Sequence, residues 1–323
     1  MPRDSSKFCG VIGTAYCGST MFSYILGSSP DIFATGELIL GFERYRCSNV
    51  WHGGDWTSPN LSPAEKKMSS VKITPCPLWT EDFAILLEEA GVENRNMLLK
   101  ERAREILGKS IVLNPDKAPK WYKKSISAGD DLDHLIVLFK RPEAYAFSFE
   151  VHKREQGGKW AGKSRMDRIS AACEIYEKFY RQAFEIIENH GIPAIFLNYE
   201  DFANDPYNKT EIVCELLGAR YDDDMISYWD NRDRLHMTPS GNRGAHIQFL
   251  EKDSYAEYWG ERLTPNSRDS SYFEEHANWF LKNYHKITID EKWRDYLNDE
   301  ERGFITNNGK VMEIFSRMCG LGV

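Results

Sequence analysis

The chain has no two cysteines spaced to form a zinc knuckle or a redox dithiol. Its seven cysteines (Cys9, Cys17, Cys47, Cys76, Cys173, Cys214 and Cys319) are odd in number and scattered, which suits neither a metal site nor a disulfide framework. No metal is expected. No apolar run approaches the roughly 20 residues that span a bilayer. Basic residues are not in excess either: 41 Lys and Arg stand against 49 Asp and Glu, a formal charge of −8. A global positive field that would attract nucleic acid or an acidic membrane surface is therefore lacking, and a phosphate ligand must meet a local basic cluster. The opening Met1-Pro-Arg-Asp-Ser-Ser-Lys7 enters the first apolar run without the hydrophobic stretch of a secretory signal. A cytoplasmic location is the expectation, and Asn60-Leu-Ser and Asn208-Lys-Thr are then chance matches to the glycosylation tripeptide. Internal repeats and low-complexity tracts are missing as well.

What is present is an alternation of strand-like and helix-like segments. Apolar runs at 8–13, 32–35, 110–113, 134–139 and 193–198 predict strands. Apolar residues recur at three- and four-residue spacing over 20–27, 80–90, 95–107, 168–189 and 207–217, which predicts helices. Such alternation is the pattern of an α/β protein with a mainly parallel sheet. Within 168–189, Ile169, Cys173, Ile175, Tyr176, Phe179, Tyr180, Phe184 and Ile187 cover one broad face and read as core. Residues 46–77, rich in Gly, Ser, Pro, Asn and Trp, read as an irregular insertion of the kind that serves as a substrate lid.

Two segments carry chemistry. From Gly13 the sequence Gly-Thr-Ala-Tyr-Cys-Gly-Ser-Thr20 has the spacing of a phosphate-cradling loop, G-x-x-x-x-G-K-[ST], with Ser19 in place of the lysine. A strand, a glycine turn and a helix N-terminus bind an anion through converging backbone N–H groups and the positive dipole end. Without the lysine that reaches β- and γ-phosphates, hydrolysis of a nucleoside triphosphate is disfavoured. The second segment follows the run Leu-Ile-Val-Leu-Phe139: Lys140 and Arg141 end a predicted strand, and Pro142 suits the first turn of a helix that carries Ser148 two turns in.

Together these segments resemble the sulfotransferases that use 3′-phosphoadenosine 5′-phosphosulfate (PAPS) and release 3′-phosphoadenosine 5′-phosphate (PAP). Gly13–Thr20 is similar to that family's G-T-x-[RK]-S-G-[TS]-T, and the segment ending at Ser148 to its R-D-P-x-x-x-x-x-S, with Lys140 at the arginine and Arg141 at the aspartate. Further pieces resemble the carbohydrate- and tyrosine-type branch in the same order along the chain. These are Ser29-Pro-Asp-Ile-Phe-Ala-Thr-Gly-Glu37, Asp116-Lys117-Ala-Pro119, Asn198-Tyr199-Glu200-Asp201-Phe202 and His236-Met-Thr-Pro-Ser-Gly241-Asn242-Arg243. The resemblance runs from residue 8 to 243. It implies one domain over 1–323 in a P-loop-like three-layer fold, a central mainly parallel sheet flanked by helices, with a lid near 46–77 and a variable part after 250.

The resemblance also implies roles. Backbone amides of Tyr16, Cys17, Gly18, Ser19 and Thr20, with the Ser19 and Thr20 hydroxyls, hold the 5′-phosphosulfate. Lys140, Arg141 and Ser148 take the 3′-phosphate, a task suited to ammonium and guanidinium groups. Tyr199 joins the cofactor site, and Asn242 and Arg243 close over the nucleotide. Glu37 is the candidate general base, with His52 the alternative; a carboxylate base needs burial to bring its pKa toward neutrality. No metal is needed. Tyr16 stands where the family has a cation on the bridging oxygen, and a lost preorganised donor at such a point costs roughly 3–4 kcal/mol of transition-state stabilisation. Lys117 is the candidate substitute. The acceptor expected is the hydroxyl of a small molecule, such as a specialised natural product, with neither nucleic acid nor membrane as partner. Two alternatives stay open: a PAP- or PAPS-binding protein without turnover, and a P-loop kinase or NTPase with Asp201 as its magnesium-side acid.

Overall fold

Each apolar run sends alternate side chains to opposite faces of a sheet, and both sets are buried here. The computed structural model describes residues 6–36, 77–78, 80–90, 92–129, 132–156, 158–236, 245, 247–249, 252–253, 278–279, 281–289 and 291–323. Strands β1 (Lys7–Ile12), β2 (Ile32–Ala34), β3 (Ile111–Lys117), β4 (His134–Phe139) and β5 (Ala194–Asn198) form one parallel sheet in the order β2-β3-β1-β4-β5. On one face Cys9, Val11, Ile32, Ala34, Ile111, Leu113, Ile136, Leu138, Ile195 and Leu197 meet α1 (Ser19–Gly27) and α8 (Pro206–Leu217). On the other, Phe8, Phe33 and Val112 meet α2 (Glu81–Glu89) and α3 (Val92–Leu107). The same face packs Ile12, Leu135, Val137, Phe139 and Phe196 against α4 (Pro119–Ser127), α5 (Pro142–Gln156) and α6 (Arg165–His190). Continuous burial on both faces is what an all-parallel sheet requires, and the protein is a three-layer α/β fold. Among the described residues no helix is long and apolar enough to cross a membrane.

Helix ends follow local chemistry. Pro119 and Pro206 occupy first-turn positions, where a missing N–H costs nothing. Ser164 and Asp167 form a reciprocal capping box at the start of α6, and Gly191 ends it with φ 62°. The carbonyls that follow α1 are gathered by a buried lysine: Lys109 Nζ donates to Gly27 O (3.1 Å), Ser29 O (2.9 Å) and Ile32 O (2.7 Å). Carbonyl partners make this burial of charge tolerable.

The largest difference from the expected strands lies in β3, predicted over 110–113 and observed to Lys117. Pro115 and Asp116 form a bulge. The pairing with β1 jumps from Gly10 opposite Asn114 to Ile12 opposite Lys117. Proline has no N–H to give the ladder, so a side chain fills in. Tyr122 Oη accepts from Val11 N (3.0 Å) and donates to Asn114 O (2.6 Å). Gly10 admits the ring, since a Cβ there would fall 2.4 Å from it. The bulge delivers Lys117 to the C-terminal edge of the sheet in a left-handed conformation, φ 60°.

Beyond residue 217, where no element is predicted, the chain adds α9 (Trp293–Tyr296), α10 (Asp299–Thr306) and α11 (Gly309–Gly320). Trp293, Leu297, Ile305, Val311, Ile314 and Met318 share the core of α5 and α6. A buried ion pair joins these layers: Arg168 of α6 meets Glu150 of α5 at 2.7 Å, and Tyr296 Oη donates to the second Glu150 oxygen at 2.6 Å. Breaking such a pair on one side costs about 3–5 kcal/mol.

Candidate functional site

The chain leaves β1 toward one face of the sheet, through α1, and leaves β4 toward the other, through α5. Since β1 and β4 are neighbours, their carboxyl ends flank the crevice where ligands of open α/β sheets bind. The glycine loop Gly13–Thr20 and the basic pair Lys140-Arg141 both lie there.

The loop after β1 is built by close approaches. Gly13 lies against Leu138 O and Cys17 Sγ, which a Cβ would meet at 2.7 and 2.6 Å. Tyr16 and Gly18 take positive φ, 69° and 89°, the kind of backbone turning that makes an anion-binding concavity. Gly18 precedes α1 and no side chain caps the helix start; a glycine turn before a helix N-terminus is the backbone arrangement that receives anions. Ser19 and Thr20 are buried. Tyr180 of α6, read as core from its spacing, holds the loop in place. Its hydroxyl lies 3.3 Å from Thr14 N and 3.2 Å from Thr14 Oγ1, and donates to Leu138 O at 3.0 Å.

Three predicted site residues converge on this loop. The Tyr199 ring, at the start of α7 (Tyr199–Asn204), covers Gly18 so closely that a Cβ there would come within 2.5 Å of it. Lys140 Nζ sits 4.6 Å from the centroid of that ring, a cation–π contact, and the residue is buried, its carbonyl accepting from Tyr176 Oη at 2.8 Å. Lys117 approaches from the other side, where its carbonyl accepts from Gly13 N at 3.4 Å. The Cys17 thiol registers all of this. Full burial pushes its pKa up, while the Lys117 ammonium, hydrogen bonds from Ser19 and the Lys140 ammonium pull the other way. Two ammonium groups, one from each strand that pairs with β1, thus act on the floor of one loop.

Arg141 has protein partners of its own. Its guanidinium lies 3.5 Å from Glu143 and 5.6 Å from the centroid of Trp293. Its N–H donates to the Glu200 carboxylate at 3.2 and 3.3 Å, so a carboxylate of the protein already meets the start of α5. Burial raises the Glu200 pKa, with the Lys140 charge the largest opposing influence. Ser148 lies on α5, its hydroxyl donating to Ala144 O at 3.0 Å. Lys120, Lys123 and Lys124 are exposed along α4. Asp201 donates its amide to Asn198 Oδ1 at 2.9 Å in a cap of α7. Glu37, His52, Asn242, Arg243 and residues 46–76 of the insertion lie outside the described residues.

The structure adds a residue that the sequence reading did not single out. His152 of α5 stacks on Tyr16, centroids 4.2 Å apart and planes 1° from parallel. The signal was its spacing, four residues after Ser148 on the same helix face. The residue keeps an exposed edge, while desolvation of its stacked ring, followed by the Lys153 and Lys140 charges, lowers its pKa.

In chemical terms the positive charge near this loop comes from the strand ends, Lys117 and Lys140, rather than from within the loop. No protein-family model matches the chain, and no curated protein sequence matches it. Among solved structures, the chain is similar to the sulfotransferase domain from the Synechococcus PCC 7002 olefin synthase, at 14% identity and TM-score 0.49 over 87% of this chain and 96% of that one. It is also similar to the sulfotransferase domain from the curacin biosynthetic pathway, at 13% identity and TM-score 0.47 over 98% of each chain.

Proposed function

We propose that the protein is a sulfotransferase that moves the sulfuryl group of PAPS to a hydroxyl of a small molecule. The observation that carries this reading is the pair of ammonium groups, Lys117 and Lys140, acting from either side on a glycine loop that has a serine at its lysine position. Such a cradle suits a donor whose reacting group sits between a nucleotide phosphate and an acceptor, and it offers little to a triphosphate. Amides from Tyr16 to Thr20 hold the 5′-phosphosulfate; Lys140 and Ser148 face the 3′-phosphate, with Tyr199 closing over Gly18. Lys117 neutralises charge that develops on the bridging oxygen during in-line transfer. Glu37 accepts the acceptor's proton, and Asn242 and Arg243 close the nucleotide site. PAPS, when bound, supplies the activated sulfuryl group. Arg141, with Glu143 as its partner, supports the start of α5 in this account.

The Tyr16 stack favours one alternative. With an aromatic ring parked on His152 where the loop cation is expected, a protein that binds PAP or PAPS without turnover is the second reading. A single-turnover incubation with radiolabelled PAPS separates them. With a mixture of hydroxyl-bearing small molecules as acceptors, labelled sulfate ester formed above the background rate and lost in Lys117→Ala supports the transferase; donor recovered intact from the protein under the same conditions supports the binder.

A further inference from the structure

We propose that His152 is a third, proton-gated partner of the bound phosphates, held in place by the Tyr16 ring and protonated more readily when the anion is present. This rests on the reading of the site as a PAP-type anion cradle and concerns its regulation by pH.

The geometry makes the case. His152 lies one helical turn beyond Ser148, so both side chains leave α5 on one face. The imidazole is flat on Tyr16, the loop residue that stands at the expected cation's position, yet the residue remains solvent-exposed and protons reach it freely. A neutral imidazole packs on the phenol, and an imidazolium gains a cation–π contact as well.

The electrostatic surroundings set the gate. The charged groups acting on His152 are Lys153 on its own helix and Lys140 at the end of β4. Lys159, beyond the end of α5, acts on Lys153 in turn. Tyr16 faces the ring from the loop, and Tyr145 of α5 lies near enough to Tyr16 to be affected by it. Among the described residues, no carboxylate is found among the groups that act on this imidazole. In the free protein, two like charges and desolvation therefore disfavour the imidazolium. A phosphate placed beside Lys140 reverses the balance, because it offsets those cations and itself attracts the proton. Binding then takes up a proton at His152, and by linkage the anion binds more tightly as pH falls through the histidine range. A rise of one pKa unit on binding corresponds to about a tenfold gain in affinity.

The test follows the histidine directly. Imidazole NMR signals of the wild-type protein, with His152 assigned by its loss in His152→Gln, are titrated from pH 5 to 8.5 with and without saturating PAP. The expected result is a His152 pKa below the ordinary value in the free protein that rises by about one unit with PAP. PAP affinity, measured at pH 6 and pH 8, should then improve about tenfold more in wild type than in His152→Gln. The comparison with the variant removes the contribution of the ligand's own phosphate ionisations. PAP binding with an unmoved His152 pKa, or with the same pH dependence in the variant, overturns the inference and leaves the donor reading intact. Absence of PAP binding at every pH overturns the donor reading instead. The same NMR titration with inorganic pyrophosphate then decides the role of His152 alone: a rise in pKa upholds it and no change ends it.

Discussion

Gly18 shows at one position how the loop is specified. Its φ of 89° is unfavourable for a side chain, and a Cβ would collide with the Tyr199 ring at 2.5 Å. Gly18→Ala is expected to lower stability by about 1–3 kcal/mol, read as a shift in urea midpoint at constant m-value, and to displace Tyr199 from Lys140. Lys117 carries the opposite expectation. Its ammonium acts at the loop while its backbone carbonyl makes the fold's contact with Gly13. Lys117→Ala should therefore abolish sulfuryl transfer yet leave PAP affinity within about tenfold, or about 1.4 kcal/mol. A variant with wild-type turnover would remove Lys117 from the role assigned to it. At this scale chemistry and spacing singled out Gly13–Thr20 and Lys140–Ser148, and the structure sets both segments after the carboxyl ends of the paired strands β1 and β4. The sequence was silent on the Arg141 guanidinium, because only the fold brings Glu143 and Trp293 beside it and sets Glu200 on its amide.

Among the elements, α6 does more than its apolar stripe announces. Tyr176 and Tyr180 sit on the predicted core face, and both rings are buried. Their hydroxyls, however, end on Lys140 O, Leu138 O and Thr14, which ties the anion loop to the end of β4. Tyr180→Phe leaves Thr14 N and Leu138 O without this partner, a loss of about 1–3 kcal/mol for buried polar groups. The expected outcome is a lower urea midpoint together with weaker PAP binding; an unchanged affinity would show that the loop holds its shape without α6. Periodicity cannot show such bonds, because it reports which face is buried and not what a tyrosine hydroxyl reaches. The strands were legible for the same reason in reverse. Alternating apolar residues fix both faces of β1, β4 and β5, while Pro115 masked the far end of β3 until Tyr122 and the bulge explained it. Helices α9 to α11 escaped because their core residues are interspersed among charges, as in Asp299–Thr306, where only Ile305 and Glu301 are buried.

For the molecule as a whole, the net charge of −8 and the cationic cradle are compatible because the cations are placed rather than numerous. Ends of β3 and β4 bring Lys117 and Lys140 to β1, and the layers behind are clamped by Glu150, Arg168 and Tyr296. Stability should follow the histidines on the acid side. His152 and His134 both have pKa values below the ordinary 6.5, chiefly through desolvation of their rings, with Lys153 and Lys140 adding to the effect at His152 and Lys7 at His134. A depressed histidine binds fewer protons folded than unfolded, so stability is complete above the unfolded value and falls as pH drops through 6.5 toward the folded values. Urea midpoints should decline from pH 8 to pH 5.5, and less steeply in the His134→Gln, His152→Gln double variant. Equal slopes would mean that other groups govern the acid limb.

The central claim is that this loop, without its lysine, is a site for a sulfuryl donor's nucleotide. The measurement that tests it most directly is a calorimetric titration with PAP, with and without Mg²⁺, beside ATP with Mg²⁺. Tight PAP binding that is indifferent to the metal, with no heat from ATP, is the predicted result. Magnesium-dependent ATP binding with no response to PAP would contradict it.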